Sequence, residues 1–378
     1  MHSSSPSSMA LALLPLLPIL PSLASASRAL DNGEELLMLG RFHGWMATHG
    51  RSYATAEEKL RRFDIYRSNM EFIAAANRDS RMRYRLGETP FTDLTHDEFV
   101  AMYIGNNAAS DLLDGEVMIT THAGPVHVGG GGDLPGSGDE PPRRIDVTAL
   151  PAFVDWRTKG VVSPVKYQGN CCNVVLGVRG GGDDGERAGD KHGRRAAGAV
   201  GAAAGGLRLL RRRLRRRLDG PGLPVVIENG GITTAAAYPY TAKDGACRTG
   251  VPAEVTLRGY RMLPRGDEAA IMAAVALQPV AVPFDGNDTC FQYYIGGVYD
   301  GKCFTADGVY EGGACSAWNL NHGVALVGYG TMPDGTKYWI AKNSWSHLWG
   351  DKGFVYLLRD LPPYGLCGLA KRPSYPII

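Results

Sequence analysis

The chain has 378 residues, with 40 Lys and Arg against 38 Asp and Glu for a net charge of +2. That length accommodates about two domains with a substantial core. Beyond the N-terminus no apolar stretch reaches the roughly 20 residues of a membrane span, so no membrane-spanning helix is expected there.

The first elements follow in chain order. Met9 to Leu23 is an apolar run punctuated by Pro15, Pro18 and Pro21 and followed by the small residues Ala24, Ser25 and Ala26. The prolines disfavour a buried helix, so residues 1–26 are expected to be a secretory signal cleaved near Ala26. Seven cysteines then imply disulfides with one thiol left over. Asn287-Asp288-Thr289 is a candidate glycosylation acceptor, at Asn287.

Residues 36–104 carry helical periodicity, with Phe63, Tyr66, Met70 and Ile73 on one face. Thr95, with Glu98 three residues on, predicts a capping box ahead of a further short helix. Residues 105–149 turn to Gly, Pro and Asp, a composition expected to form an exposed linker, and Arg143-Arg144 marks a site where two modules could be separated by proteolysis. From 150 the chain again has globular character. Near its end, NHGVALVGYGTMPDGTKYWIAKNSWSHLWGDKGFVYLLRD alternates apolar runs with turn residues and reads as antiparallel strands.

The residues that can carry chemistry are far apart in sequence. A thiol protease needs a thiolate, an imidazole partner, a group that orients the imidazole and donors for an oxyanion. His322 heads a predicted strand and Asn343 follows across a turn, where its amide can accept the imidazole N–H. Gln168 can donate its side-chain amide to an oxyanion.

With these residues in order, the chain resembles the papain-like, cathepsin L-type cysteine proteases over 36–103 and 150–378, apart from one block. Glu58, Arg62, Tyr66, Asn69, Ile73 and Asn77 match the spaced signature of that family's propeptide, with Tyr66 where Phe is usual. GETPFTD, Gly87 to Asp93, matches a second propeptide motif, with Thr89 in place of Asn. VDWR, PVKYQG, IENGGI, YPYTAKDGAC, NHGVALVGYG, KNSWSHLWG and GLCGLAKRPSYP resemble mature-enzyme segments in the family's order.

The resemblance implies an α+β, papain-like two-domain fold, with a helical left domain and a β-barrel-like right domain, preceded by a small α-helical propeptide domain that covers the cleft. It implies Gln168 for the oxyanion hole, His322 as general base and acid, Asn343 as the residue that orients it, and Trp345 at the substrate cleft, where it shields Asn343 from water; Ser346 replaces a usual Gly. It implies a cysteine endopeptidase acting on peptides or proteins in a vacuolar, lysosomal or extracellular space. Its partner is its own propeptide, no metal or cofactor is needed, no nucleic-acid or membrane partner is implied, and a monomer is expected. It further implies that Cys171 and Cys247 each bond a cysteine of the departing block, and that Cys367 pairs with Cys303 or Cys315, leaving Cys290 unassigned.

The departure falls on the nucleophile. The family's cysteine lies six residues past the glutamine, where this chain has Val174; Cys172 is the fallback, two residues short. Residues 174–225 abandon the pattern and include LRLLRRRLRRRLDG, which read literally is a basic helix for nucleic acid or anionic lipid. A displaced reading frame accounts for it better. A glycine codon GGC read out of register becomes the arginine codon CGG, and with permitted codons Val174–Gly193 can conceal SCWAFAAVATMESVRGINT, the family's nucleophile helix. In the same way Val200–Arg208 can conceal SEQQLVDCD and Arg211–Pro224 GGGCGGGWMDRAFP. The block carries Lys191 and eleven Arg against five acidic residues, so the rest of the chain stands at −5 within a total of +2 and offers no case for an anionic partner. As written, GGGDDG at 180–185 is poor helix material, and Asp183, Asp184 and Glu186 cannot be buried unpaired, so the expectation is an endopeptidase zymogen by descent whose printed chain is inactive. The alternative is a non-enzymatic homologue whose propeptide binds and inhibits related proteases.

Overall fold

The computed structural model describes residues 23–104, 120–121, 124–125, 145–169, 226–227, 230–240, 250–305, 308–309 and 315–378. Most of the expected signal, the linker, the 174–225 block, and Cys171, Cys172 and Cys247 lie outside the described residues. The chain divides into two compact units, Met1–Ser52 and Tyr53–Ile378. The first contains helix α1 (Leu23–Thr48), within which Phe42 and Trp45 stack with ring centroids 6.0 Å apart.

The second unit opens with α2 (Ala56–Arg78), whose N-cap Thr55 accepts from Glu58 N. Phe63, Tyr66, Met70 and Ile73 are buried, as their spacing predicts. Strand β1 (Tyr84–Leu86) and helix α3 (His96–Tyr103) follow, and α3 starts at the expected capping box between Thr95 and Glu98. The polar members of the α2 signature tie these pieces together. Arg62 meets Glu58 at 2.6 Å and Glu98 at 2.7 Å, and donates to Asp93 O at 2.9 Å. Asn69 donates to the carbonyls of Thr92 and Leu94, and Asn77 pairs with both backbone groups of Leu86. Tyr66, standing where Phe was expected, donates its hydroxyl to Glu88.

The remaining elements are β2 (Thr120–Thr121), β3 (Gly124–Pro125), β4 (Val154–Asp155), β5 (Gly259–Met262), α4 (Glu268–Leu277), β6 (Val280–Phe284), α5 (Thr289–Gln292) and β7 (Tyr294–Tyr299). Then come β8 (Phe304–Thr305), β9 (Gly308–Val309), β10 (His322–Thr331), β11 (Lys337–Lys342), β12 (Phe354–Leu358) and β13 (Ser374–Ile377). Nine strands form one sheet in the order β1-β7-β12-β11-β10-β6-β13-β5, with β4 beside β10. The predicted strands β10, β11 and β12 pair antiparallel, while β12 and β7 run parallel.

Two expectations are corrected here. Among the described residues the sheet is open, with β1 and β5 as unjoined ends, and does not form a β-barrel-like closure; one end is extended by β1, from the segment ahead of the linker. Close approach of β1 relies on Gly297 of β7, where φ is +89° and a Cβ would lie 2.6 Å from Tyr84 Cα. Second, Cys290 is not unassigned: it bonds Cys303, and Cys315 is the partner of Cys367.

Candidate active site

His322 and Asn343 sit at the ends of adjacent strands. His322 is the first residue of β10, and Asn343 directly follows β11, so antiparallel pairing returns the chain from one to the other. His322 Nε2 lies 2.9 Å from Asn343 Oδ1. The same oxygen accepts from Ser344 N at 2.8 Å, which fixes the carboxamide orientation and assigns the Nε2 proton to His322 as donor. In the neutral ring Nδ1 then keeps the lone pair and is the atom free to act as a base.

Trp345 is fully buried and covers this pair, its ring stacked on His322 with centroids 4.8 Å apart. Phe91, Phe99, Phe291 and Trp349 pack edge-on around Trp345 at 5.0 to 5.5 Å. Burial pushes the His322 imidazole down to about 4, against the Asn343 hydrogen bond, which raises it. The ring in this state is therefore neutral near pH 7.

Gln168 reaches the same corner from a distant segment, through three links to the stretch after β11. Gln168 N donates to Ser344 O at 3.0 Å, Ser346 N donates to Lys166 O at 3.1 Å, and Ser344 Oγ donates to Gln168 Oε1 at 2.7 Å. Accepting from Ser344 turns the carboxamide so that its Nε2 points outward, where it donates to the backbone carbonyl of Tyr103 at 3.2 Å. Ser344 thus serves both Asn343 and Gln168, a role that nothing in the sequence pattern singles out. Beneath it, buried Lys342 donates to Ser163 Oγ at 2.7 Å, and burial lowers its ammonium to about 8, helped by Lys166.

The segment from β1 to α3 lies on this surface. Gly87 N donates to Tyr293 O at 2.9 Å and Thr89 Oγ1 to Gln292 O at 3.1 Å. His96 sets its two ring nitrogens against Gln292 Oε1 at 3.1 Å and Asn287 Oδ1 at 3.0 Å. The half-buried Asn287, the candidate glycan acceptor, is thereby engaged by α3. Tyr103, at the end of α3, is buried and places its hydroxyl 2.8 Å from that of Tyr167.

The expected residues Gln168, His322, Asn343 and Trp345 are brought together; Cys172 and position 174 lie outside the described residues. Asp288, Cys290 and Cys303 also converge, with metal-ligating atoms within 4.8 Å of one another, but the two sulfurs are bonded to each other and are not available as thiolates. What the described cluster offers is an oriented base, an amide donor beside it and an aromatic roof that keeps water out.

Comparison with known proteins agrees with this chemistry. Residues 221–377 match the papain family cysteine protease model, and residues 42–99 match the cathepsin propeptide inhibitor domain (I29). The senescence-specific cysteine protease SAG39 of Oryza sativa subsp. japonica is 34% identical over 97% of this chain and 99% of its own. The senescence-specific cysteine protease SAG12 of Arabidopsis thaliana is 33% identical over 93% of each. Among solved structures, a recombinant stem bromelain precursor superposes with a TM-score of 0.63 at 29% identity, covering 90% of this chain and 99% of that one. The proform of the ragweed pollen allergen Amb a 11 gives a TM-score of 0.62 at 26% identity, covering 90% and 94%. The segment lying across Gln168 is therefore an inhibitory propeptide, and the chain belongs to the papain family of cysteine proteases as an α+β endopeptidase zymogen.

Proposed function

We propose that peptide-bond hydrolysis by this lineage runs through His322, Asn343 and Gln168, and that the polypeptide as written lacks a correctly placed thiol to complete them. The observation that carries this reading is the His322–Asn343 pair, held in one tautomer by Ser344 N. With a thiol facing Nδ1, the imidazole takes the thiol proton and the sulfur bonds to the substrate carbonyl carbon. Gln168 Nε2–H meets the oxyanion, and the imidazolium returns its proton to the departing amine. Water activated by the same ring then cleaves the thioester. Asn343 holds the ring through these proton transfers, and Trp345 keeps water from that hydrogen bond.

Position 174 is where the thiol belongs, and valine has none. Cys172 is two residues short, and near-attack geometry tolerates little displacement. The peptidase match begins at 221, so it omits residues 150–220, the stretch that contains most of the departing block. A thiol-directed epoxide probe on acid-activated protein tests the reading: no labelling is expected of the printed chain, and labelling that survives Cys172→Ser would overturn it. Sequencing the transcript across 167–231 tests the frame, because a transcript that encodes the printed residues makes this a degenerate homologue.

A second reading, an inhibitor of related proteases, is favoured by one observation. The propeptide contacts are intact, down to the Tyr103 carbonyl on the Gln168 amide. Retained inhibition of a related protease with no labelling supports it. Secretion, followed by work in a vacuolar, lysosomal or extracellular space, is supported by the signal-like N-terminus and the two disulfides. Among the described residues no helix is long and apolar enough to cross a membrane.

A further inference from the structure

Asp285 is a buried carboxylate, 2% exposed, directly after β6. Its oxygens gather donors from separate segments. Oδ2 accepts from Ser316 N at 2.7 Å, and Oδ1 accepts from Asn321 Nδ2 at 2.6 Å and Asn287 N at 3.1 Å. Its own N–H donates to Cys367 O at 3.0 Å. Ser316 and Asn321 bracket the segment that delivers His322, and Cys315, bonded to Cys367, anchors its start.

The contact with Asn321 is reciprocal, because Asn321 Oδ1 accepts from Gly286 N at 2.8 Å. Asn321 N also donates to Phe284 O at 3.2 Å, continuing the register in which His322 faces Phe284. Gly286 completes the fit: a Cβ there would lie 3.3 Å from His322 Cβ and 3.0 Å from Ile104 Cδ1. One carboxylate therefore holds both ends of the 316–321 segment against the strand beside the imidazole.

We propose that Asp285 is a positioning residue for His322, fixing through Ser316 and Asn321 the place from which the imidazole meets Asn343. This rests on the His322–Asn343 reading given above. Asp285 makes no contact with the reacting atoms. Its effect is geometric: three donors converge on one buried acceptor, and replacing the carboxylate by a carboxamide sets an N–H against another donor. A loosened segment would let water reach the ring and free Nε2–H to exchange.

The test is imidazole NMR on the full-length zymogen, with the His322 signal identified by its loss in His322→Gln. Asp285→Asn should raise the His322 titration midpoint by about one unit as burial is relieved, and should speed exchange of the Nε2 proton at least tenfold. The double substitution Asp285→Asn with Asn321→Asp keeps a carboxamide facing a carboxylate and should restore most of both. Val355→Ala, a core truncation in β12, should lower the unfolding midpoint without moving either. If Asp285→Asn does not fold, Asn321→Ala cuts the same link from the other side and should shift both readouts in the same direction. Unchanged His322 signals in the folded variant, or an equal shift in Val355→Ala, overturn the proposal. Failure of the pair itself reads differently, as an Nε2 proton that is indifferent to Asn343→Ala.

Discussion

Gln168 donates its side-chain amide to the backbone carbonyl of Tyr103, so the donor proposed for an oxyanion is occupied in the zymogen by the propeptide. The contact is made by backbone, but its position is set by the Tyr103 side chain. That ring packs on Phe91 at 4.6 Å and on Phe99 at 5.9 Å, and its hydroxyl meets Tyr167. Tyr103→Ala empties that space and should cost about 3–5 kcal/mol, the usual range for truncating a buried aromatic. Urea denaturation of the full chain should show the lower midpoint. Limited proteolysis should cut first near residue 104, whereas an unchanged midpoint would mean that Tyr103 does not anchor the carbonyl.

Acid acts on this zymogen through two buried groups with opposite signs. The His322 imidazole, ordinarily near 6.5, is pushed down to about 4 by burial, so between those values the unfolded chain binds a proton that the folded chain refuses. Its contribution to stability is complete above about 6.5 and is lost as pH falls toward 4. Asp288 is the reverse case. Burial raises its carboxyl from 3.8 to about 7 despite the Tyr299 hydrogen bond, so the folded chain takes up the proton first and gains stability as pH falls through that window. At full extent the effects are on the order of 3 kcal/mol for His322 and 4 kcal/mol for Asp288. His322→Gln should therefore flatten the acid-side loss of stability and Asp288→Asn should steepen it. Denaturation midpoints from pH 4 to 8 measure both slopes, and identical profiles in the two variants would contradict the assignment.

The propeptide hub makes a separate prediction. Arg62 is 11% exposed at its side chain and joins α2 to α3 by bonding Glu58, Glu98 and the Asp93 carbonyl. Burial raises the Glu98 carboxyl, but hydrogen bonds from Arg61, Thr95 N and Arg62 hold it at about 2. Arg62→Met keeps the aliphatic stem and strands a charged Glu98 with fewer donors. Hydrogen bonds to charged groups are worth about 1.5–3 kcal/mol, so a loss of that size is expected. Because the pair is partly buried, the loss should persist in about 0.5 M salt, where an exposed ion pair would be screened. A loss abolished by that salt would place Arg62 on the surface electrostatically.

How much of this was readable beforehand follows from the range of each interaction. The buried face of α2 and the Thr95–Glu98 box are set by residues three or four apart, and local periodicity exposes them. His322, Asn343 and Gln168 were legible because short motifs carry them, even though 154 residues separate the first from Gln168. Ser344 shares the motif of Asn343, but its double role was not legible, since it exists only after Gln168 has been brought beside it. Asp285 is equally silent, as its donors come from residues up to 36 positions away. That the β-barrel-like right domain is an open sheet among the described residues was hidden for a related reason. Alternation identifies strands, but it does not reveal that one end of the sheet is extended by β1, a segment more than 200 residues from its partner β7.

Cys290 shows the same limit in a form that chemistry can test. The family resemblance assigns it no partner, yet it sits in α5 beside the propeptide's docking residues and closes a 13-residue loop to Cys303. A loop of that length restricts the unfolded chain by about 3 kcal/mol in the chain-entropy description. Cys290→Ala with Cys303→Ala should lower stability by roughly that amount, and it should loosen α5, where Gln292 receives Thr89 and His96 of the propeptide. Peptide mapping without reduction should recover Cys290 linked to Cys303 and Cys315 linked to Cys367. Recovery of Cys303 linked to Cys367 would instead restore the alternative pairing and free Cys290, and with it the loop's constraint on α5 would disappear.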